Sequence, residues 1–356
     1  MKHKKILCLK DFKVLTNWRI YMFLVFILML GILLNYLFFS TIEHGFLDDL
    51  VSRLLWTGFG IALMFIISMV NFNMVEKYLK QIIVVTTLFL FFSANIWIFL
   101  RSTSFSFVAE LGVILQSVTL LFPLLFSVVA YLMKGKGYRG FIIYNLVYCS
   151  LCFISFIMPG LVTTLHLIPI GALLGLFVLL NGGFVSNKII GCISVLIPNV
   201  ILLFLLIFMN ANVDSYTVGF IPVQVRELIT SSALVGGASS SNYLTNMQQI
   251  FYNDFFLTAV VFHFGWLIFI LVLFALLFFI IATVAFCIKR ASDFGSYIIF
   301  AIFLTFITQI IYFVLANLGL GVRLIGLPFL SMPIGNSALL VNLMLFGIMI
   351  SFVQKD

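Results

Sequence analysis

Apolar residues in this chain run in long blocks, and polar residues mark little more than the gaps between them. A bilayer-spanning helix needs roughly 20 apolar residues. Blocks of that length fall at about 19–39, 53–74, 79–99, 107–132, 140–158, 161–183, 188–209, 257–287, 295–318 and 333–353. The pattern predicts an all-α, polytopic membrane protein of about ten transmembrane helices. It divides into a cytoplasmic basic tail (1–18), helices one to seven (19–209), a large extracytoplasmic loop (210–256) and helices eight to ten (257–353). The first block is too long for a signal-peptide core and no small-residue cleavage site follows it, so it is expected to stay in the mature protein. Pro123, Pro169 and Pro198 lie inside blocks and are expected to kink them.

The 210–256 loop breaks the pattern of short connections. It reads NANVDSYTVGF, then VQVRELITSSALVGGASSSNYL, then TNMQQIFYND. Long connections in compact proteins tend to carry function or to be disordered, and this one has neither the charge nor the proline of a disordered tract. VQVRELITSSAL reads as a half-amphipathic helix and GGASSS as a flexible turn. The expectation is an ordered, partly re-entrant lid on the outer face, since irregular backbone at membrane depth must lie against protein or water.

Composition and charge sharpen this picture. The chain is 64% hydrophobic and 8% charged, more apolar surface than a soluble core absorbs. With the N-terminus in the cytoplasm, the inner side receives all twelve lysines together with Arg19, Arg139 and Arg290. The outer side keeps Arg53, Arg101, Arg226 and Arg323. That asymmetry follows the positive-inside rule and leaves both termini cytoplasmic. The net charge of +8 is then a topology signal and a mild attraction to anionic membrane lipid. Nucleic acid is not an expected partner, because no basic face is present. Cys149 and Cys152 have CxxC spacing but sit among Leu, Phe and Tyr with no second ligand pair, so they read as packing residues. No Gly-rich phosphate loop or nucleotide motif supports ATP-driven transport.

Candidate chemistry gathers at the predicted outer face. In FYNDFFLTAVVFHFGW (251–266), Asp254 stands at the mouth of an apolar run. Asn253-Asp254 at that place is what a helix N-cap looks like. It is also where a partly desolvated carboxylate would have its pKa raised towards a useful general base. Every outer cation is arginine, which binds phosphate oxygens bidentately and stays charged in a partly dry site. For Arg101 and Arg323 the competing reading is interfacial snorkelling; for Arg226 it is an ion pair with the adjacent Glu227. Glu110 is an acid inside a block near the outer face, where such a group normally faces a bundle interior or cavity. It could assist Asp254, hold a divalent cation such as Mg2+ or pair with Arg101; a structural or cavity-lining role is favoured, and no cofactor is fixed by the sequence. His166 and His263 have no second metal ligand at suitable spacing and read as hydrogen-bonded packing.

Five segments, in order, resemble the SEDS (shape, elongation, division and sporulation) family of FtsW-, RodA- and SpoVE-like proteins. FSFVAEL (105–111) resembles that family's FSFQPSEL with one residue missing, and IMPGLVTT (157–164) its LQPDLGT. VQVRELITSSALVGG resembles GxQxxxSxxAIGSGG. NDFFLTAVVFHFG is similar to TDFIFAxxxEExG, keeping the aspartate, the aromatic after it and the spacing to Gly265. LPFLSMPIGNS (327–337) is similar to LPFISYGGSS with a two-residue insertion. The chain departs from the family at Phe262 and His263, which replace an acidic pair, at Gly160, which replaces an aspartate, at Val113, which replaces a lysine, and at Met332-Pro333.

The resemblance implies a peptidoglycan glycosyltransferase of the bacterial cytoplasmic membrane that polymerises lipid II, an undecaprenyl-pyrophosphate-linked disaccharide peptide, in elongation, division or sporulation. It implies Asp254 as the catalytic residue; with the outer arginines Arg226, Arg101 and Arg323 read from their charge, and Glu110, Gly236, Gly237 and Ser331 from the motif segments, these are the expected substrate-binding positions. It implies a class B penicillin-binding protein as partner. Two other readings compete: a catalytically degenerate relative that binds lipid II or a partner, and a transporter or flippase of a lipid-linked sugar.

Overall fold

The computed structural model describes residues 46–70, 76–79, 81, 85–86, 118–157, 161–180, 199–200, 215–235, 255–289, 291–319 and 336–352. These residues are almost wholly helical, as an all-α reading requires. Helix α1 spans Phe46–Ser68, α2 Phe122–Met133 after a 3-10 turn at Thr119–Leu121, α3 Gly137–Ile157, and α4 Leu161–Leu180. In the loop region α5 spans Ser215–Ser231; then come α6 (Phe256–Phe264), α7 (Trp266–Ile288), α8 (Asp293–Asn317) and α9 (Asn336–Ser351). Among the described residues three helices, α3, α7 and α8, are long and apolar enough to cross a membrane. The basic tail, the predicted first span and most of the predicted third and seventh spans lie outside the described residues.

Packing centres on α8. It lies against α2, α4, α6, α7 and α9, and its residues contribute to both large apolar cores. One core joins α1, α7, α8 and α9 through residues such as Met64, Phe279, Phe306 and Phe346; the other joins α2, α3, α4 and α8 through Phe126, Tyr148, Leu174 and Ala301. Close approach of α1 and α9 depends on Gly347, where a Cβ would stand 2.7 Å from the Met64 carbonyl oxygen. Small residues at such crossings let helix backbones meet where lipid offers no hydrophobic drive. The outward face of α7 is a stripe of Leu267, Ile270, Leu271, Phe274, Phe278 and Ile281, all exposed. Steps of three and four place them on one side of the helix, and an apolar stripe on that side suits lipid rather than water.

Proline acts differently at its two described positions. Pro123 falls in the first turn of α2, directly after the 3-10 turn, where a missing N–H costs nothing, so it starts a helix instead of kinking one. Pro169 is inside α4. Its missing N–H orphans the carbonyl four residues earlier, and Tyr312 of α8 donates its hydroxyl to that Leu165 oxygen at 2.9 Å. Tyr144 and Tyr148 of α3 add bonds to the carbonyls of Gly171 and Ile168, at 2.6 and 3.0 Å. Pro198 lies outside the described residues.

The eighth apolar block differs from its prediction as a single span. It is two helices, α6 and α7, broken at Gly265. Gly265 has φ +88° and ψ 170°, a region that essentially only glycine enters, and its missing Cβ would lie 2.7 Å from the Leu234 carbonyl oxygen.

Candidate functional site

Of the candidate catalytic and substrate-binding residues, Arg226 is the one whose side chain lies in the described part. Asp254, Arg101, Arg323, Glu110, Gly236, Gly237 and Ser331 lie outside it. The elements on either side of Asp254 and around Arg226 are nonetheless in place, and they converge on the end of α8.

Helix α5 extends the amphipathic segment read from VQVRELITSSAL and begins earlier, at Ser215. Its apolar face, Val225, Leu228 and Ile229, packs with Phe255 and Phe262 of the α6 segment and Ala316 of α8 in a separate small core. Phe255, the residue that follows Asp254, is 5% exposed within it. Arg226 projects from an exposed position on α5, and its Nε–H donates to the Gly319 carbonyl oxygen at 2.9 Å. Gly319 terminates α8 with φ +65°, and a guanidinium at a helix C-terminus is favoured by the negative end of the helix dipole. That bond uses one of five guanidinium donors.

Helix α6 is capped from across the bundle. Its N-cap is Phe255, which makes no side-chain capping bond. Thr258 N–H, one of the orphan donors of the first turn, donates to Asn317 Oδ1 at 3.0 Å, and Thr258 Oγ1 donates to the Asn317 carbonyl at 2.8 Å. Just past α5, the carbonyls of Ala233 and Leu234 accept from Trp266 N and Leu267 N of α7, at 3.3 and 3.1 Å. The break at Gly265 thus exposes the first N–H groups of α7 to the end of α5, and the two fit without a side chain between them.

Two sequence readings are modified among the described residues. Arg226 does not pair with Glu227: the ion pair among the described residues is Lys134–Asp293 at 2.9 Å. His166, expected as hydrogen-bonded packing, is 1% exposed and neither ring nitrogen has a partner among the described residues. Phe262, standing where the resembled family has an acid, is 4% exposed in the apolar core beside Val225 and Leu228, which would leave a carboxylate there unpaired. His263 is half-buried, edge-on to Phe262 with ring centroids 5.3 Å apart. Cys149 and Cys152 are free thiols, as packing residues would be. No group of His, Cys, Asp and Glu among the described residues could hold a metal ion, and Glu110 is not among them.

No protein-family model and no curated protein matches this chain. Interpretation therefore rests on residues and geometry. Sequence reasoning missed Asn317 and Gly319 as the anchors of α6 and α5. The one available signal was an Asn-Leu-Gly sequence ending an apolar block, a common helix stop, and it says nothing about what the freed groups hold.

Proposed function

We propose that this chain is a membrane glycosyltransferase of the SEDS type, polymerising lipid II into peptidoglycan strands at the outer face of the bacterial cytoplasmic membrane. In this reading ten helices cross the membrane, both termini are cytoplasmic, and the loop between helices seven and eight faces outward. An acceptor sugar hydroxyl attacks the anomeric carbon of the donor sugar. Its proton passes to the Asp254 carboxylate, and the bond to the lipid pyrophosphate breaks, with the departing electron pair carried onto the phosphate oxygen. The remaining donors of the Arg226 guanidinium stabilise that charge.

The observation that supports this reading is how the first turn of α6 is capped. A carboxylate before an apolar run is most simply a cap, yet the Thr258 N–H is taken by Asn317 from another helix. Phe255 fixes the following position in the core that also holds Val225, the neighbour of Arg226. In this reading Asp254, the residue before Phe255, and Arg226, the residue after Val225, act on one substrate from either side of that core. The outward apolar stripe at the start of α7 offers the single membrane helix of a class B penicillin-binding protein a place to pack. A second reading, a relative that binds lipid II without polymerising it, is favoured by Phe262, whose apolar surroundings exclude the acid of the resembled family.

The test is polymerisation of labelled lipid II by the purified full chain, alone and with a class B penicillin-binding protein. Glycan strands in either condition are expected. Lipid II binding without strands in both would favour the second reading.

A further inference from the structure

Two places beside the same stretch of α8 carry polar groups that the described residues leave unfinished. At the first, Gln309 of α8 donates Nε2–H to Asn342 Oδ1 of α9 at 3.1 Å. Both side chains are fully buried, at 1% and 0% exposure, and Gln309 Oε1 and Asn342 Nδ2 have no partner among the described residues. Turning both amides over reverses the bond but not the remainder, since one donor and one acceptor are still left. At the second, His166 of α4 is buried with both ring nitrogens unpartnered among those residues. A neutral imidazole also has one donor and one acceptor. The His166 ring meets Tyr312 edge-on, with centroids 6.2 Å apart. Tyr312 is three residues after Gln309, a separation that makes side chains neighbours on a helix surface.

Leaving such groups bare in an apolar interior is costly. Each place asks for the same complement: a group that donates one hydrogen bond and accepts another. A hydroxyl does both, and water is the smallest that can. The Tyr312 oxygen, which donates to Leu165, keeps lone pairs that can accept from the same occupant.

We propose that the C-terminal half of α8 carries a pair of buried water sites, one completing the Gln309–Asn342 pair and one completing His166 beside Tyr312. They sit within the apolar bundle and do not depend on the polymerase reading. The experiment is cryo-electron microscopy of the full chain in lipid nanodiscs, with and without added lipid II, at a resolution that shows water on exposed polar groups. The expected result is a peak within ~3.2 Å of both Gln309 Oε1 and Asn342 Nδ2, and a second on a His166 nitrogen. Isolated peaks unchanged by lipid II identify resident water and support the proposal; continuous sugar density in their place would contradict it. Reciprocal pairing of the two amides with no peak, or His166 bonded to another side chain of this protein, would overturn it.

Discussion

The two ends of α8 are held by different chemistry. At its start Ser292 caps the helix by accepting from Gly295 N, and Asp293 pairs with Lys134 from the α2–α3 turn. That pair is 65% and 36% exposed, and the Lys134 Nζ also lies 5.4 Å from the centroid of Tyr297. At its far end Asn317 and Gly319 tie α6 and α5 through backbone and amide groups, several of them buried. Exposed ions tolerate displacement because water stands in for a lost partner. Buried amide ties do not, because a broken bond leaves a bare group. The far end of α8 is therefore held more tightly than its start.

Substitutions can break this contrast at graded strength. Gly265→Ala places a Cβ against the Leu234 carbonyl and forces alanine into a glycine-only region. It should cost about 3 kcal/mol and release α5, read as a lower thermal midpoint in nanodiscs and faster hydrogen exchange over 223–235. Asn317→Ala removes the side-chain oxygen that accepts from Thr258 N and Thr258 Oγ1, while the bond from Thr258 Oγ1 to the Asn317 backbone carbonyl stays, and should cost about 2 kcal/mol, with exchange rising in α6 and unchanged at the start of α8. Arg226→Gln removes one bond to a carbonyl, about 1 kcal/mol, and in the proposed function weakens lipid II binding; unchanged binding would remove Arg226 from the substrate site.

Asp293→Asn is expected to have the smallest effect, ~0.5 kcal/mol, because the pair is solvent-screened. Its signature is pH. The hydrogen bond to Asp293 raises the Lys134 pKa above its ordinary 10.5. A raised lysine stabilises the folded state fully below its unfolded pKa and loses that contribution as pH rises through the folded one. Wild type should therefore lose a small increment of thermal stability on the alkaline side of the ordinary lysine value, and Asp293→Asn should lack that step.

Blocks of apolar residues revealed the helices because period and length are local properties. The amphipathic segment around Arg226 was legible for the same reason, and so was the start of the segment after Asp254. Gly265 was visible as a residue but not as a break: a glycine in an apolar run is often tolerated in a helix, and only the approach of Leu234 requires its conformation. The anchors were not legible at all. Arg226 and Gly319 are 93 residues apart and Thr258 and Asn317 are 59, so nothing local marks either pair. The sequence equally gave no sign that Glu227 would leave Arg226 to a carbonyl.

The most direct test of the account compares the initial rate of lipid II polymerisation by wild type and Asp254→Asn, with lipid II binding measured in the same nanodiscs. A general base predicts a fall of about 100-fold or more with binding retained. Equal rates from the two proteins would contradict it.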